Sequence, residues 1–253
     1  MVVTRSMLSA AIDVYKRTRK KNDQLFNAYV MRPLAAVVVS VVAKTPVTPN
    51  QLTLLNLFIF VAAAVLFVAM PTLAGALIGV AVVELSYMFD CADGMLARHK
   101  QLASKEGHLF DFFTDEGKAV LLAGSLGVRL WRTGGYGVSL QGVELWLPGD
   151  ARFLLLTVAA VVIVSSGLSL TNFVRHPVMA GKETSVESHY EANAAPKFFS
   201  PMTFLRFLNH YPSHLYLWAI AGRLDAFLWM YVALNGLYLA KGWLGLVLKF
   251  GRP

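Results

Sequence analysis

Four aspartates lie where the chain is otherwise apolar, and they are the residues whose type and spacing could do chemistry. Asp90 and Asp93 come at the end of one long apolar segment, and Asp111 and Asp115 come at the start of the next. Ionisable residues inside membrane-spanning helices are energetically costly and usually functional. Positions i and i+3, or i and i+4, share one face of a helix, so each pair presents its carboxylates on one side.

The segment that joins the two pairs brings them together. Residues 98–106 form a short charged connection, which returns the second helix beside the first and makes all four carboxylates converge at one membrane surface. Four negative charges at close range repel one another strongly unless cations neutralise them. Ligation by oxygen alone suits Mg²⁺ or Mn²⁺. The spacing therefore predicts a divalent-metal site.

Small residues and one arginine accompany the carboxylates. Gly94, Ala97 and Gly107 remove side-chain bulk, which leaves room for close helix packing or for a flat ligand group. Arg98 offers a planar fork of donors that suits a phosphate. Metals, a slot and an arginine together predict a site for a substrate that contains a diphosphate.

The composition shows that the helices which position these residues lie in a membrane. Of the 253 residues, 56% are hydrophobic and 15% are charged, against about 25% charged in a typical globular domain. The run 52–70 contains no charged residue, and a bilayer core needs about 20 apolar residues in a helix. Cys91 is the only cysteine, which excludes an internally disulfide-bonded secreted scaffold.

The hydropathy pattern predicts an all-α integral membrane protein with six transmembrane helices preceded by an N-terminal juxtamembrane amphipathic helix. That first helix is expected within 27–44, and Thr48 or Asn50 is expected to cap the next one. We expect one domain over residues 1–253, with a cytoplasmic or interfacial segment at 1–50 and a six-helix bundle at 51–250. The six predicted spans are 52–70, 73–97, 107–131, 152–175, 203–221 and 225–248, the fifth interrupted by polar residues and Pro212.

The distribution of charge predicts the orientation in the membrane. The net charge is +8, and residues 16–21 alone carry five positive charges. Nucleic acid is not expected as a partner, because no soluble domain is left to present this patch. Six spans with both termini and the carboxylates on the cytoplasmic side satisfy the positive-inside rule and place the basic segment beside anionic lipids.

The motif around the aspartates resembles the signature of the CDP-alcohol phosphotransferases, also called CDP-alcohol phosphatidyltransferases. Eight fixed residues match over 26 positions: Asp90, Asp93, Gly94, Ala97, Arg98, Gly107, Asp111 and Asp115. The segment 48–53 also looks like the family's approach to its first span. The resemblance covers roughly residues 27–248 and is highly specific, because both residue types and spacings match.

This resemblance implies an enzyme that transfers a phospho-alcohol group from a CDP-activated alcohol to a hydroxyl acceptor and releases CMP. It implies two Mg²⁺ or Mn²⁺ ions held by Asp90, Asp93, Asp111 and Asp115, and it favours Asp115 as the general base, since this residue lies one turn beyond Asp111. It also implies a homodimer. The residues that it assigns to the CDP group are Asp93, Gly94, Ala97, Arg98 and Gly107.

The two substrates remain open at this stage. The donor could be CDP-diacylglycerol with a polyol phosphate as acceptor, or a CDP-bound small alcohol with a lipid acceptor, as in the aminoalcohol phosphotransferases. Similar enzymes place basic residues near the cytoplasmic end of the fourth span to hold an acceptor phosphate. By that analogy the candidate here is Arg175, with Lys118, one turn after Asp115, and Lys182 in reserve. The segment 31–53 looks more like the inositol-phosphate and glycerol-phosphate transferases than the serine ones, which favours the first branch.

A cation-coupled transporter is the competing class, because intramembrane carboxylates also mark ion pathways. Transporters commonly have paired halves with interrupted helices, and no such symmetry is found here. The carboxylates also gather at one membrane edge, and no position of the signature is lost, which disfavours an inactive scaffold. Glu84, deeper in the second span, is interpreted as a buried partner for a polar group of another span.

Overall fold

The computed structural model describes residues 2–20, 23–175 and 201–250, and most of these residues are helical. The chain forms two compact units, Met1–Ala62 with Ala81–Asp115, and Ala63–Val80 with Glu116–Pro253. The helices are α1 (Val2–Thr18), α2 (Arg32–Val42), α3 (Pro49–Ala69), α4 (Leu73–His99), α5 (Lys105–Thr133), α6 (Ala151–Arg175), α7 (Pro201–Asn209), α8 (Leu215–Ile220) and α9 (Leu224–Phe250), with strands β1 (Gly135–Ser139) and β2 (Gly142–Trp146).

Among the described residues, four helices are long and apolar enough to cross a membrane: α3, α4, α6 and α9. The chain is therefore a multi-span membrane protein. Helix α5 is also long, at 29 residues, but its ends carry charged side chains. The predicted fifth span is broken into α7, a 3₁₀ turn at Tyr211–Ser213 and α8, because Pro212 has no amide hydrogen with which to continue a helix.

Local capping determines where α3 begins, close to the carboxylates. The Thr48 hydroxyl accepts a hydrogen bond from the Gln51 amide at 3.3 Å, and the Thr48 amide donates to Gln51 Oε1 at 2.9 Å. This reciprocal arrangement is a capping box, and Pro49 occupies the first helical position, where its missing amide costs nothing. Of the two predicted caps, Thr48 is confirmed.

In the first unit, α1 packs along α2. Its small and β-branched side chains Ala11 and Val14 are buried in one cluster with Ala35, Val39 and the α4 residue Met95. The predicted interfacial helix 27–44 is divided: a π-helical turn at Asn27–Met31 precedes α2. Helix α2 therefore has a buried face against α1 and α4, and leaves Val37 and Val41 exposed.

The second unit contains a β-hairpin that the all-α prediction did not include. Strands β1 and β2 pair antiparallel with Gly135 opposite Trp146 and Ser139 opposite Gly142. Asp225 at the start of α9 anchors the hairpin by accepting a hydrogen bond from the Tyr136 amide at 2.7 Å. The hairpin falls in the predicted 132–152 loop, where glycines allow the positive φ of +119° at Gly142.

Near its carboxyl end, α5 carries a buried charged residue, Arg129, whose guanidinium finds acceptors at the end of α3. This side chain is 5% exposed, and its guanidinium donates to the backbone oxygens of Phe67 at 3.3 Å and Met70 at 2.7 Å. The Phe67 carbonyl belongs to the last turn of α3 and Met70 follows its final residue, so no intrahelical donor remains for either carbonyl. Arg129 therefore supplies donors to carbonyls at the end of α3, and these carbonyls in turn provide acceptors for the buried guanidinium.

Candidate active site

Three of the four predicted carboxylates form a tight group. Asp90 of α4 and Asp111 and Asp115 of α5 each offer an oxygen, and the three oxygens lie within 4.8 Å of one another. Asp90 and Asp111 are half-buried, whereas Asp115 is exposed. An all-oxygen group of three negative charges is the kind of ligand set that Mg²⁺ or Mn²⁺ prefers.

The fourth aspartate, Asp93, lies one turn along α4 and is buried, with 4% of its surface exposed. Its Oδ2 accepts a hydrogen bond of 2.7 Å from the hydroxyl of Thr53 on α3. Asp93 is not one of the three residues whose ligand oxygens lie within 4.8 Å of one another, and its part in a four-carboxylate metal site stays a prediction. The α3 hydroxyl holds its carboxylate in place, because a charged oxygen is a strong acceptor.

Two buried polar residues, Asn56 and Ser86, orient the Asp90 carboxylate through hydrogen bonds. Asn56 of α3, which is fully buried, donates through Nδ2 to Asp90 Oδ1 at 2.9 Å. The Ser86 hydroxyl in turn bonds to Asn56 Oδ1 and, at 3.1 Å, to the Asn56 carbonyl. Because Ser86 occupies the amide oxygen, the amide nitrogen must face the carboxylate.

Helices α3 and α4 therefore meet at the site in a fixed antiparallel register. Thr53 lies opposite Asp93, and three residues further along α3, Asn56 lies opposite Asp90. The sequence analysis assigns no site role to Asn56, and it includes Thr53 only within the segment 48–53 that resembles the family. Their i, i+3 spacing, identical to that of the two aspartates, is the signal that could have identified them.

Gly94 and Arg98 share the face of α4 that is turned toward α1. A Cβ atom at Gly94 would lie 3.5 Å from Arg98 Nη1, so the glycine leaves space that the guanidinium borders. Arg98 Nε donates to the backbone oxygen of Thr18, the last residue of α1, at 3.2 Å. Ala97, on the turn between them, is half-buried.

Gly107 permits a close approach between the starts of α5 and α3. A Cβ atom there would lie 3.2 Å from Asn50 Oδ1 and 3.2 Å from Ser104 Oγ. Ser104 caps α5, since its hydroxyl accepts from the Gly107 amide at 3.0 Å. A side chain at this position would push against both polar groups.

The connection between α4 and α5 is tied to the segment before α3. Lys100 Nζ donates to the carbonyl of Thr45 at 2.6 Å and to that of Val47 at 2.9 Å. These two bonds restrain the turn that follows Arg98. The loop thereby holds in place the helix ends that carry the carboxylates.

The three basic residues predicted for the acceptor have different surroundings. Arg175 is exposed at the last position of α6, whereas Lys118 is buried, with 3% of its surface exposed. Lys182 lies outside the described residues. Near the end of α6, Asn172 donates to both carboxylate oxygens of Glu116 at 3.1 Å.

Glu84 does not have the partner that was predicted for it. Both of its carboxylate oxygens are buried, and neither forms a hydrogen bond with any residue in 2–20, 23–175 or 201–250. The nearby polar residue of α4, Ser86, is already engaged with Asn56. The interpretation of Glu84 as one half of an interhelical polar pair is therefore wrong for the described part of the chain.

Comparison with known proteins identifies the motif. The family model described as CDP-alcohol phosphatidyltransferase matches residues 46–235, which is more than half of the chain and includes every carboxylate of the site. No curated protein sequence matches the chain.

Proposed function

Because the chain belongs to the CDP-alcohol phosphatidyltransferase family, we propose that it transfers the phosphatidyl group of CDP-diacylglycerol to a hydroxyl of a polyol phosphate and releases CMP. The family supports the coarser statement, which is transfer of a phospho-alcohol from a CDP-alcohol to a hydroxyl. The observation that carries the proposal is the group formed by Asp90, Asp111 and Asp115, with ligand oxygens within 4.8 Å of one another.

The carboxylates fit two divalent cations, Mg²⁺ or Mn²⁺. Asp90, Asp111 and Asp115 would hold them, and Asp93 would join from the next turn of α4 while Thr53 fixes its second oxygen. Such ions would neutralise the diphosphate and stabilise the charge that develops on the leaving CMP. Asn56 would keep the Asp90 carboxylate in one orientation, as residues that hydrogen-bond to a metal ligand commonly do.

The reaction exchanges one phosphorus–oxygen bond for another. The acceptor hydroxyl oxygen attacks the phosphorus that carries the diacylglycerol, and a new P–O bond forms. The bond from that phosphorus to the oxygen of CMP breaks, and CMP leaves with the electron pair. Asp115 takes the proton of the attacking hydroxyl. Its exposure among the three grouped carboxylates supports this role, because the acceptor must reach it.

The rest of the donor would lie along the small residues of the motif. Gly94, Ala97 and Gly107 leave space beside the carboxylates, and Asp93 and Arg98 would contact the polar parts of the CDP group. The Gly107 position supports this assignment, since a side chain there would be 3.2 Å from Asn50 Oδ1.

For the acceptor phosphate we propose Arg175, with Lys118 and Lys182 in reserve. Arg175 is the exposed candidate among the described ones, so it can meet a water-soluble phosphate without crossing a packed core. The carboxylates and the cations that they would hold would be engaged by the donor diphosphate. A second anion therefore needs a cation elsewhere.

We also propose the finer membrane arrangement: six spans, with the N-terminal segment along the membrane surface and both termini and the site facing the cytoplasm. The basic run 16–21 and the charge-free segment 52–70 support this orientation. Family membership further leads us to expect a homodimer. Crosslinking in native membranes and accessibility labelling of single cysteines would test both.

The deciding experiment measures CMP release by the purified protein from CDP-diacylglycerol and Mg²⁺ against a panel of alcohols that includes inositol phosphate, glycerol phosphate and serine. We expect release with a phosphorylated polyol and a loss of about 10²-fold or more in Asp115→Asn, the range for removing a general base. Wild-type rates in Asp115→Asn or Asp90→Asn would reject the proposal. Cation uptake into liposomes without CMP formation would instead establish a transporter.

A further inference from the structure

Three basic side chains, Lys20, Arg32 and Arg98, cluster near the carboxyl end of α1. We call this cluster the α1 basic pocket. Lys20 and Arg32 precede the region 46–235 that the family model matches. The basic run that includes Lys20 predicts the membrane orientation and a position beside anionic lipids, but it assigns no binding site to an individual residue. All three residues belong to the same compact unit, Met1–Ala62 with Ala81–Asp115.

Arg32 is the buried member of the pocket, with 5% of its surface exposed. Its Nε forms an ion pair with Oδ2 of Asp23. Its Nη1 is also buried but donates no hydrogen bond to any residue that the structure describes. A buried guanidinium nitrogen without an acceptor is costly, so this edge of Arg32 is suited to an anion.

Both oxygens of the Asp23 carboxylate are engaged. Its Oδ2 pairs with Arg32, and its Oδ1 accepts hydrogen bonds from the Gln24 amide at 3.0 Å and from Asn27 Nδ2 at 3.3 Å. Asp23 therefore meets the Nε edge of Arg32 and leaves the buried Nη1 without an acceptor among the described residues.

Lys20 lies within electrostatic range of both arginines. Burial lowers the pKa of Lys20, the guanidinium groups of Arg32 and Arg98 lower it further, and Asp23 acts in the opposite direction. The ammonium group is thus half-buried in a predominantly positive environment. An anion at this place would relieve the repulsion among the three cations.

Arg98 connects the pocket with the carboxylate site. It lies two turns beyond Asp90 on α4, and its Nε donates to the Thr18 carbonyl at 3.2 Å, at the negative end of the α1 helix dipole. Gly94 leaves open the space beside Nη1, where a Cβ atom would come to 3.5 Å. The guanidinium therefore borders both the end of α1 and the glycine next to the aspartates.

We propose that Lys20, Arg32 and Arg98 together bind a phosphate group carried by a lipid. Two sources have this chemistry: the diphosphate of the CDP-linked donor, for which the inference rests on the proposed function, and the headgroup phosphate of an anionic phospholipid. In either case the N-terminal segment is part of a binding site as well as a topological signal.

The test uses the full-length protein in two arms. One arm measures binding of CDP with Mg²⁺ by isothermal titration calorimetry, and the other measures retention of phosphatidylglycerol against phosphatidylcholine by native mass spectrometry. The variants are Lys20→Ala and Arg32→Gln, whose amide can still donate to Asp23. The matched control is Lys16→Ala, which removes the same charge from an exposed position on the last turn of α1.

We expect Lys20→Ala to weaken one probe by about 10-fold, the lower range for losing a hydrogen bond to a charged group, while Lys16→Ala matches wild type. Loss of CDP affinity assigns the phosphate to the donor, and loss of phosphatidylglycerol alone assigns it to a neighbouring lipid. If wild type binds no CDP but Lys20→Ala loses phosphatidylglycerol, the proposed function fails and the phosphate site stands.

The proposal is overturned if Lys20→Ala binds both probes as Lys16→Ala does, whatever the result with Arg32→Gln. Thermal unfolding shows whether Arg32→Gln is folded, since it replaces a buried ion pair. Lys20→Arg, which restores the charge at a half-buried position, should recover most of the lost affinity. A merely structural role for Lys20 would lower the unfolding midpoint without separating the two probes.

Discussion

Asn56 donates a hydrogen bond of 2.9 Å from its side-chain nitrogen to Oδ1 of Asp90, and this bond joins two antiparallel helices at the centre of the site. The two residues are 34 positions apart in the sequence, and Asn56 lies outside the eight-residue motif. The carboxylate that would bind a metal is therefore oriented by a residue of α3.

Asn56→Ala should reduce the affinity for Mg²⁺ roughly 10- to 100-fold, the usual effect of removing a residue that orients a metal ligand. The reason is that Asp90 loses the hydrogen bond from Asn56 Nδ2 and Ser86 loses its acceptor on the Asn56 side chain. The Mg²⁺ dependence of CMP release and electron paramagnetic resonance of bound Mn²⁺ measure this. Asn235→Ala is the matched control, because the Asn235 side chain bonds within α9, to the Tyr231 carbonyl at 2.8 Å. Equal metal affinities in the two variants would disprove the orienting role.

Removal of metal should both inactivate and destabilise the protein. We expect that EDTA abolishes CMP release, that Mg²⁺ or Mn²⁺ restores it, and that saturating metal raises the unfolding temperature. At 100 times its dissociation constant a single bound ion stabilises the folded state by about 2.7 kcal/mol. Asp111→Asn should lose most of this thermal response, since it removes one of the three grouped carboxylates. Full activity in EDTA would refute the metal requirement.

Gly107→Ala and Gly117→Ala form a matched pair on α5. Alanine in a helix is favoured over glycine by about 0.5–1 kcal/mol, and nothing lies within 4 Å of a Cβ atom at Gly117. We therefore expect Gly117→Ala to stabilise slightly. At Gly107 the new methyl group would meet Asn50 Oδ1 and Ser104 Oγ at 3.2 Å, so that gain should be lost and CDP binding should weaken. Denaturant midpoints and CDP titrations measure the difference. Equal stability and CDP affinity in the two variants would show that the Asn50 side chain moves aside at no cost.

Arg175→Ala should raise the acceptor KM about 10- to 150-fold, equivalent to the ~1.5–3 kcal/mol of a hydrogen bond to a charged group. The affinity for the CDP substrate should hardly change. Arg152→Ala, at the other end of the same helix, is the control, because Arg152 pairs with Asp150 and Glu144. If CDP binding collapses while the acceptor KM is constant, Arg175 belongs to the donor site and the phosphorylated-acceptor branch loses its support.

Several features of the site could be predicted because they depend on neighbours in sequence. The spacing of Asp111 and Asp115 places both on one face of any helix, and the order Thr48-Pro49-Asn50-Gln51 forms a capping box without help from the rest of the chain. Apolar length likewise predicted four segments that correspond to α3, α4, α6 and α9, the described helices long and apolar enough to cross a membrane. The break at Pro212 was visible as an interruption but not as two short helices.

The sequence by itself determined which carboxylates exist and which helical face each occupies, because helix geometry is local. Only the tertiary structure decided that Asp93 turns to Thr53 while Asp90 groups with Asp111 and Asp115, since that depends on the register in which α3 meets α4. It also decided that Arg98 reaches the end of α1, a contact between residues far apart in the chain. Such contacts are set by the packing of whole helix faces, which no spacing within a single helix can specify.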